Sequence, residues 1–514
     1  MAAKKAKKSG SGHLEGFGKY LTDRNIFIAL FVIALLLRII FINAGIPHFD
    51  SIADASKAPK NLEWLTGEGD RFHYSYGYGS PGIVAMITAV YAVDHFLTGA
   101  ENAEFAYFFI TLLTAALSIS MLYLVVRKIT GDRLTGLFSA LFLCVTPIYL
   151  SITTYPKTHA PAAFFVLLAG YFMLRAKEEP SMELRFLIYS GLLFSFATSI
   201  RVFSFLFIIP FAIIYANPRI SRKRITFNRR VLDKRNIFWF IFCLFIVVFV
   251  LFIPRFSQIG FSGFINTLLT EKQTVAWQGA LSDRLFFALS QLHISVTWLG
   301  WAAAALGAYY LYRKDKTALA AFLIWFLMFF LYFGNIKGVE ARFLTPALIA
   351  VIIFMACGTK LLYNSNKIMG AAVAVMLVVW MFAIIHPIID QRHDYSGQKE
   401  FALWIASVTE EDSILVTTDQ GFFYSFYTGR PLIPDPDPST DTGGWIGHYQ
   451  AGSQQDVQEF IRLIHGFLQN GTPVYMAEAG IGYDPQGIFR KALQENFDIY
   501  PVDSKMNEAY SQNT

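Results

Sequence analysis

Residues 25–55 read NIFIALFVIALLLRIIFINAGIPHFDSIADA, an apolar run over 25–44 that leads at once into a loop with two aspartates. A run of this length crosses the hydrocarbon core of a bilayer as a helix, because every backbone polar group must be satisfied within the segment. It is longer than the apolar region of a signal peptide and lacks a small-residue cleavage site. We therefore interpret it as a retained first membrane helix.

The composition extends this interpretation to the whole chain. Its 514 residues are 54% hydrophobic and only 16% charged, whereas soluble domains carry about 25% charged residues. Fifty Phe and 25 Tyr exclude a disordered chain, which would be poor in aromatic residues. The three cysteines lie inside apolar runs and have neither disulfide-framework nor metal-ligand spacing. The sequence predicts an α-helical polytopic membrane protein.

Eleven apolar runs are predicted to span the membrane, and a twelfth, 81–97, is predicted to lie at its interface. The eleven cover residues 25–44, 104–126, 134–153, 159–176, 185–200, 201–216, 236–254, 286–311, 317–334, 342–358 and 368–388. Cytoplasmic loops are enriched in Lys and Arg. With 81–97 at the interface, the predicted inside loops hold 25 Lys and Arg against 10 outside. A spanning 81–97 would turn the basic block RISRKRITFNRR outward.

This topology divides the chain into three parts. Residues 1–24 form a basic cytoplasmic tail, 25–388 the transmembrane domain with its first outward loop 45–103, and 389–514 a domain on the outward face. In this last part, DSILVTT, RPLIP, TPVYMAEA and FDIYPVD look like strands and alternate with helix-like segments. The alternation predicts a small extracytoplasmic α/β domain. We expect a prokaryotic plasma membrane, because no eukaryotic targeting signal is visible.

Two aspartates in the first outward loop are candidates for acid–base chemistry. Asp50 follows the first span and Asp54 lies four residues later, so both carboxylates share one face if the segment is helical. A carboxylate held beside apolar groups is a better proton acceptor than one in water and suits a general base. The alternative is that Asp50 caps a short interfacial helix.

Cations at the outward ends of several spans run against the charge bias. They are Lys157, Arg201, Arg255, Lys337 and Arg342, with His159 two residues after Lys157. Charges at membrane depth usually face the bundle interior and mark a pathway or a ligand. A set of cations at one level suits the phosphate of a lipid headgroup. The alternative is that each side chain snorkels to the interface.

Other segments carry weaker signals. The loop GEGDRFHYSYGYGSPG fits either a mobile aromatic substrate edge or an interfacial aromatic belt. Asp435-Pro436-Asp437 has the spacing of a metal-binding pair but lies in a Pro-rich loop, and we expect no metal there. No phosphate-loop or dinucleotide motif is present. Anionic lipid and topology explain the basic block 219–235 more simply than nucleic acid does, so we expect no nucleic-acid partner.

The order of these segments resembles the GT-C superfamily of integral-membrane glycosyltransferases, closest to the branch of protein O-mannosyltransferases and aminoarabinose (lipid A) transferases. The resemblance runs nearly end to end, through LRIIFINAGIPHFDSIADA, YSYGYGSPGIVAMITAVYAV, SITTYPKTHAPAAFFV, ARFLTPALIAVIIFMACG and DQGFFYSFYTGRP. Many members have Asp-Glu where this chain has Asp50-Ser51, and often an acidic residue where it has His159.

The resemblance implies a reaction and a site. The donor would be a sugar on dolichyl or undecaprenyl phosphate, and the acceptor a hydroxyl of a protein, glycolipid or polysaccharide. Asp50 would be the general base of an inverting transfer. The donor-phosphate-binding residues would be Lys157, His159, Arg201, Lys337 and Arg342. These enzymes are generally metal-independent, so the resemblance implies no cofactor.

Three alternatives stay open at this point, and one of them is a scaffold or sensor whose outward α/β domain binds a partner while the membrane part anchors it. A polytopic lipid or sugar transporter would commonly show paired halves and charges at mid-span. This chain shows no similarity between its halves, and its outward cations cluster at one level. The third alternative is a catalytically inactive GT-C homologue, because the second carboxylate of the Asp-Glu pair is absent.

Overall fold

The structure, a computed structural model, is mostly helical over the residues that it describes. These are residues 22–42, 45–46, 49–73, 80–217, 219–220, 225–226, 233–247, 249–252, 260, 262, 280–334, 341–390, 394–416, 421–433, 454–476 and 488–502. Arg255, Lys337, the Asp435-Pro436-Asp437 segment and the side chain of Asp50 lie outside them.

Over the described residues, long helices dominate and the strands are only two or three residues long. The helices are α1 (Asp23–Ile40), α2 (Phe49–Ala55), α3 (Lys57–Thr66), α4 (Pro81–Thr98), α5 (Ala103–Thr130), α6 (Arg133–Val145), α7 (Pro147–Ile152), α8 (His159–Glu178), α9 (Glu183–Ile200), α10 (Ile208–Ala216), α11 (Lys234–Phe252), α12 (Leu281–Lys314), α13 (Lys316–Gly334), α14 (Thr345–Ser365), α15 (Lys367–Asp390), α16 (Asp394–Val408), α17 (Gly421–Thr428), α18 (Gln454–Gln469) and α19 (Ile488–Asn496). The strands are β1 (Arg219–Ile220), β2 (Ile225–Thr226), β3 (Ile414–Val416), β4 (Leu432–Ile433) and β5 (Val474–Met476). Three 3₁₀ helices cover Pro180–Met182, Val202–Phe207 and Ala341–Leu344.

The predicted polytopic helical architecture is confirmed. Nine helices within the described ranges are long and apolar enough to cross a membrane. One of them is α4, which corresponds to the run 81–97. Its length and composition suit a span, and its predicted place at the interface rests on the charge count and stays a prediction. The chain is an integral, multi-pass membrane protein.

Three predicted spans are broken instead of continuous. In the run 286–311, helix α12 has a non-helical backbone at Thr297 (φ 63°, ψ 167°). The run 134–153 divides into α6 and α7 at Thr146, whose backbone is extended (φ −62°, ψ 126°). The cause is Pro147, which favours extended geometry in the residue before it and lacks an N–H for the helical ladder. The run 201–216 begins as the 3₁₀ helix Val202–Phe207 before α10, after an extended Arg201 (φ −145°).

The described chain forms two compact units. The first contains Met1–Ile42, Phe109–Ile253 and Leu269–Ile388. In it, α14 is buried along most of its length and packs against α6, α12 and α13. The close approach of α12 and α14 depends on two glycines, because a Cβ at Gly307 would lie 1.8 Å from the carbonyl oxygen of Phe354 and one at Gly358 would lie 1.9 Å from that of Ala303. Small residues at such crossings let helix backbones pack closely in membranes.

The second unit contains Asn43–Phe108, Pro254–Leu268 and Ile389–Thr514. It therefore groups the first outward loop with the C-terminal segment 389–514, which we call the C-terminal domain. There β3 lies between β4 and β5 in a parallel sheet, with Leu415 paired to Leu432 on one side and to Tyr475 on the other. Helices α18 and α19 pack on this sheet through Phe460, Ile464 and Leu493.

One predicted strand of the C-terminal domain is wrong. FDIYPVD has no strand in its described residues 497–502. Phe497 packs instead against the hydrophobic cluster formed by α18, α19 and the sheet. An apolar segment that follows a helix and packs on a core gives the same short apolar pattern as an edge strand.

The crossing of α12 and α14 yields a stability prediction. Gly307→Val should lower the thermal unfolding midpoint of the detergent-solubilised protein and its folded yield, because the added side chain meets the Phe354 carbonyl, which is backbone and cannot turn aside. Overpacking of this kind costs about 1–3 kcal/mol or more. Gly300→Ala is the control, since its Cβ would meet side-chain atoms and no backbone, namely Cε of Met355 and Cγ1 of Val296, each at 3.0 Å. Equal midpoints for the two variants would contradict the account.

Candidate functional site

The candidate cations of the first unit lie where helices begin, end or are interrupted. Arg201 is the residue between α9 and the 3₁₀ helix Val202–Phe207, and His159 is the first residue of α8. Arg342 lies in the 3₁₀ helix Ala341–Leu344, which precedes α14. Side chains at such breaks can project past the end of a helix, where a ligand has access to them. The sequence marked all three as candidates.

The structure brings Arg201 and His159 into contact. Nη1 of Arg201 lies 2.9 Å from Nε2 and 3.0 Å from Nδ1 of the His159 ring, and it donates to Oγ1 of Thr158 at 3.0 Å. A guanidinium can only donate and a neutral imidazole has one acceptor nitrogen, so one of the two ring nitrogens accepts the hydrogen bond. His159 is 5% exposed. His159 is therefore enclosed and does not snorkel, while Arg201 is half-buried beside it at the start of α8.

The ring of Phe343 connects this pair with Arg342. The guanidinium carbon of Arg342 lies 5.2 Å from the Phe343 ring centre, and that of Arg201 lies 5.9 Å from it. The His159 ring centre lies 6.4 Å from the same ring. Arg201 also lies over Phe203, at 4.6 Å. Aromatic faces attract guanidinium groups and leave their N–H donors at the ring edge available for other partners.

Lys157 is close to this group in sequence and is buried. It is 4% exposed, and its backbone N–H donates to Oγ1 of Thr111 at 3.4 Å. Burial excludes snorkelling for this side chain as well. Lys337 lies outside the described residues, as does Arg255. The structure thus brings three of the five predicted phosphate-binding residues together around Phe343.

Arg38 is a further buried cation of the first unit. The sequence places it deep in α1, where snorkelling would explain it, but the side chain is 0% exposed. Its Nε donates to Oγ1 of Thr153 at 3.1 Å, and Nη1 donates to the carbonyl oxygen of Cys144 at 3.3 Å. Its Nη2 has no hydrogen-bond partner within the described part of the chain. Arg38 therefore caps the ends of α6 and α7, just before the segment with Lys157 and His159.

The carboxylates lie in the second unit, on α2. Asp50 is the second residue of this helix, so it lies in the first turn and is not the N-cap. Asp54 is one turn further along, so the backbone places both residues on one helical face. Asp54 is 5% exposed and accepts a hydrogen bond of 3.0 Å from the hydroxyl of Tyr107.

Asn61 links three segments of the first outward loop. Its Nδ2 donates to the His73 carbonyl oxygen at 3.1 Å and to Oγ1 of Thr88 at 3.3 Å, while its Oδ1 accepts from the His73 N–H at 2.6 Å. Asn61 is completely buried. One side chain thereby joins α3, the chain after it and α4. No cluster of three or more His, Cys, Asp or Glu suited to a metal ion occurs within the described ranges.

Several of these residues cannot be picked out from the sequence. Phe343 and Phe203 belong to a chain with fifty phenylalanines, and Tyr107 and Asn61 lie in segments without a motif. The available signal is position, because Phe343 adjoins Arg342 and Phe203 follows Arg201 closely. A guanidinium next to an aromatic residue at a helix break is a pattern worth searching for in such chains.

Comparisons with known proteins match this fold. A family model described as dolichyl-phosphate-mannose-protein mannosyltransferase matches residues 86–254. The structure of ArnT from Cupriavidus metallidurans bound to undecaprenyl phosphate is similar over 96% of this chain and 97% of that chain, with a TM-score of 0.63 and 13% identity. ArnT in the apo state also has a TM-score of 0.63, with 14% identity, 93% of this chain and 96% of that chain covered.

An archaeal protein shares the fold as well. The oligosaccharyltransferase AglB from Archaeoglobus fulgidus, in complex with an inhibitory peptide and a dolichol-phosphate, has a TM-score of 0.58 and 12% identity, over 87% of this chain and 68% of that chain. A comparison with curated protein sequences finds no match. The fold is that of the GT-C glycosyltransferases, and the resemblance predicted from the sequence is confirmed at the level of the fold.

The capping role of Arg38 yields a prediction for the first unit. Arg38→Ala should lower the thermal midpoint, because it leaves a cavity in α1 and removes the donor from the Cys144 carbonyl at the end of α6. The loss should amount to about 2–5 kcal/mol, as for other large-to-small changes in a core. Arg313→Ala, at an exposed position of α12, is the control. Equal midpoints for both variants and the unchanged protein would refute the capping role.

Proposed function

We propose that this protein is a glycosyltransferase that moves a sugar from a polyprenyl phosphate to an acceptor hydroxyl at the outer face of the membrane. The observation that carries the proposal is the group formed by Arg201, His159 and Arg342 around Phe343. It occurs in a fold whose solved examples include one bound to undecaprenyl phosphate and one in complex with a dolichol-phosphate.

The cations bind the phosphate of the donor in this proposal. Guanidinium groups form paired, charge-assisted hydrogen bonds with phosphate oxygens. Arg201 and Arg342 supply the guanidinium donors, His159 holds Arg201, and Lys157 and Lys337 add positive charge. When the bond between the anomeric carbon and the phosphate oxygen breaks, its electron pair goes to the phosphate. Fixed cations stabilise that developing charge most strongly where water is excluded.

Asp50 is the general base of the reaction. It accepts the proton of the acceptor hydroxyl, whose oxygen attacks the anomeric carbon on the side opposite the phosphate and inverts its configuration. Asp54 lies one turn further along α2 and supplies a second carboxylate, although the chain has Ser51 where many GT-C members have Glu. The charge count supports an outward position for both the first loop and the cations.

The donor is a dolichyl- or undecaprenyl-phosphate sugar, either hexosyl or pentosyl, and no metal takes part. The acceptor is a hydroxyl of a protein, a glycolipid or a cell-envelope polysaccharide. The protein acts in a prokaryotic plasma membrane with its N-terminus in the cytoplasm and residues 389–514 outside. Transfer should therefore continue undiminished in the presence of EDTA, because arginine and lysine side chains supply the positive charge.

The first test of the proposal is Asp50→Asn. Sugar transfer by the purified variant should fall by about 10²–10⁴-fold, because an amide cannot accept the proton of the acceptor hydroxyl. The measurement is release of polyprenyl phosphate from a labelled donor in detergent or nanodiscs, together with the thermal midpoint. Asp70→Asn, at an exposed position of the same loop, is the matched control. Unchanged turnover in Asp50→Asn would exclude Asp50 as the base.

The second test concerns the phosphate site. Arg342→Ala should weaken binding of polyprenyl phosphate about tenfold or more, because a hydrogen bond to a charged group contributes about 1.5–3 kcal/mol. A titration with undecaprenyl phosphate measures the dissociation constant directly, without turnover. Arg313→Ala again serves as the control. The same affinity in Arg342→Ala and the unchanged protein would remove Arg342 from the site.

A further inference from the structure

The C-terminal domain forms a polar cluster with Glu104, the first residue after the first outward loop. Nζ of Lys399, on α16, lies 2.6 Å from Oε2 of Glu104, which is in the first turn of α5. The hydroxyl of Tyr427, on α17, donates to Oε1 of the same carboxylate at 3.2 Å. Lys399 also lies over the Tyr427 ring, 5.2 Å from its centre. Both oxygens of Glu104 are therefore engaged by the C-terminal domain.

The same tyrosine also engages the first residues of the loop. Its hydroxyl oxygen accepts a hydrogen bond of 2.9 Å from the backbone N–H of Ile46, which is completely buried. The preceding Gly45 has φ +108°, a conformation that favours glycine, and a Cβ there would lie 3.4 Å from Cδ of Lys399. The chain thus enters the loop in close contact with Tyr427 and Lys399.

The Tyr427 hydroxyl is suited to this double role. Burial and the neighbouring Glu104 carboxylate raise the pKa of the Tyr427 phenol. The hydroxyl therefore keeps its proton at neutral and alkaline pH and remains a donor to Glu104. Its oxygen is at the same time the acceptor for Ile46. One side chain joins the beginning of the loop to its end.

Helix α17 also packs directly against α2, the helix that carries Asp50 and Asp54. Arg430 fixes α17 to α16, because it donates to the carbonyl oxygens of Thr428, Ala406 and Thr409 at 3.0–3.2 Å. Helix α17, which Arg430 joins to α16, therefore packs against α2, the helix that carries both aspartates.

We propose that the C-terminal domain positions the carboxylates of the first outward loop, and that Tyr427 is the positioning residue that ties both ends of this loop together. The role in catalysis rests on the proposed function. Misplacement of a reacting group by about 1 Å costs up to about a hundredfold in rate. Loss of the tie should therefore reduce turnover, while the cations of the first unit continue to bind the donor phosphate.

The test uses Tyr427→Phe in the full-length protein, because phenylalanine keeps the ring and removes only the hydroxyl. We expect kcat to fall about tenfold, with the donor KM and the dissociation constant for undecaprenyl phosphate changed less than twofold. Hydrogen exchange should become about tenfold faster over residues 45–66 and stay unchanged at the strand 414–416. Tyr475→Phe, in β5 of the same domain, is the matched control and should change neither readout.

A double variant tests whether Tyr427 acts through Glu104. If the two residues form one tie, Tyr427→Phe combined with Glu104→Gln should reduce kcat no further than Glu104→Gln alone, because coupled residues are not additive. If the two substitutions instead reduce kcat by independent factors that multiply, Tyr427 does not act through Glu104, and the proposed link between them is wrong.

The remaining outcomes separate this inference from the proposed function. Unchanged hydrogen exchange over residues 45–66 in Tyr427→Phe would overturn the positioning role. An equal rise in exchange at strand 414–416 would overturn it as well, because Tyr427 would then stabilise its domain in general. If the unchanged protein transfers no sugar but the exchange pattern is as expected, the proposed function fails and the structural tie stands.

Discussion

A chain that leaves the helical path inside a membrane protein must find new partners for its N–H and C=O groups, and this requirement organises the membrane-embedded unit. At Thr146–Pro147 the helix divides, and the end of α6 would expose a carbonyl without a partner. Arg38 donates to that carbonyl, at Cys144, and to Thr153 at the end of α7. A buried guanidinium is costly unless such partners surround it. The break and the arginine therefore depend on each other.

The breaks also determine where charge is concentrated. Arg201 follows the end of α9, and His159 begins α8, so the two side chains meet where regular helix is absent. Beside them, the ring of Phe333 contacts the rings of both Phe203 and Phe343. Aromatic faces stabilise guanidinium groups without neutralising them. The positive charge therefore persists in surroundings where a phosphate is attracted far more strongly than in water.

The sequence predicts the helical architecture and the positions of the cations, because long apolar runs and the scarcity of outward Lys and Arg are direct physical signals. It predicts a boundary at Arg201, where the runs 185–200 and 201–216 meet, but not the breaks at Thr146 and Thr297, because apolar residues continue across them. From the sequence, snorkelling would explain Arg38 deep in the first apolar run, because depth along a helix says nothing about which neighbours enclose a side chain. FDIYPVD is wrongly predicted as a strand for a similar reason: a short apolar run does not distinguish an edge strand from a segment that follows a helix and packs on the core.

Long-range contacts account for the rest of what sequence reasoning missed. Tyr107 and Asp54 are 53 positions apart, and Tyr427 and Ile46 are 381 apart. Neither partner of such a pair carries a local pattern. The sequence predicts residues 389–514 as a separate domain, whereas the structure groups them with the first outward loop in one compact unit. Polar side chains that join distant segments are therefore the least predictable part of the candidate site.

The central claim, that the protein transfers a sugar from a polyprenyl phosphate, is tested most directly with the purified full-length protein and a panel of radiolabelled dolichyl- and undecaprenyl-phosphate sugars. Release of free polyprenyl phosphate is scored with and without a membrane extract as the source of acceptor. The account predicts release from at least one donor, with label appearing in an extract component. No release from any donor, in the presence of the extract, would contradict it and favour a transporter or an inactive homologue with the same fold.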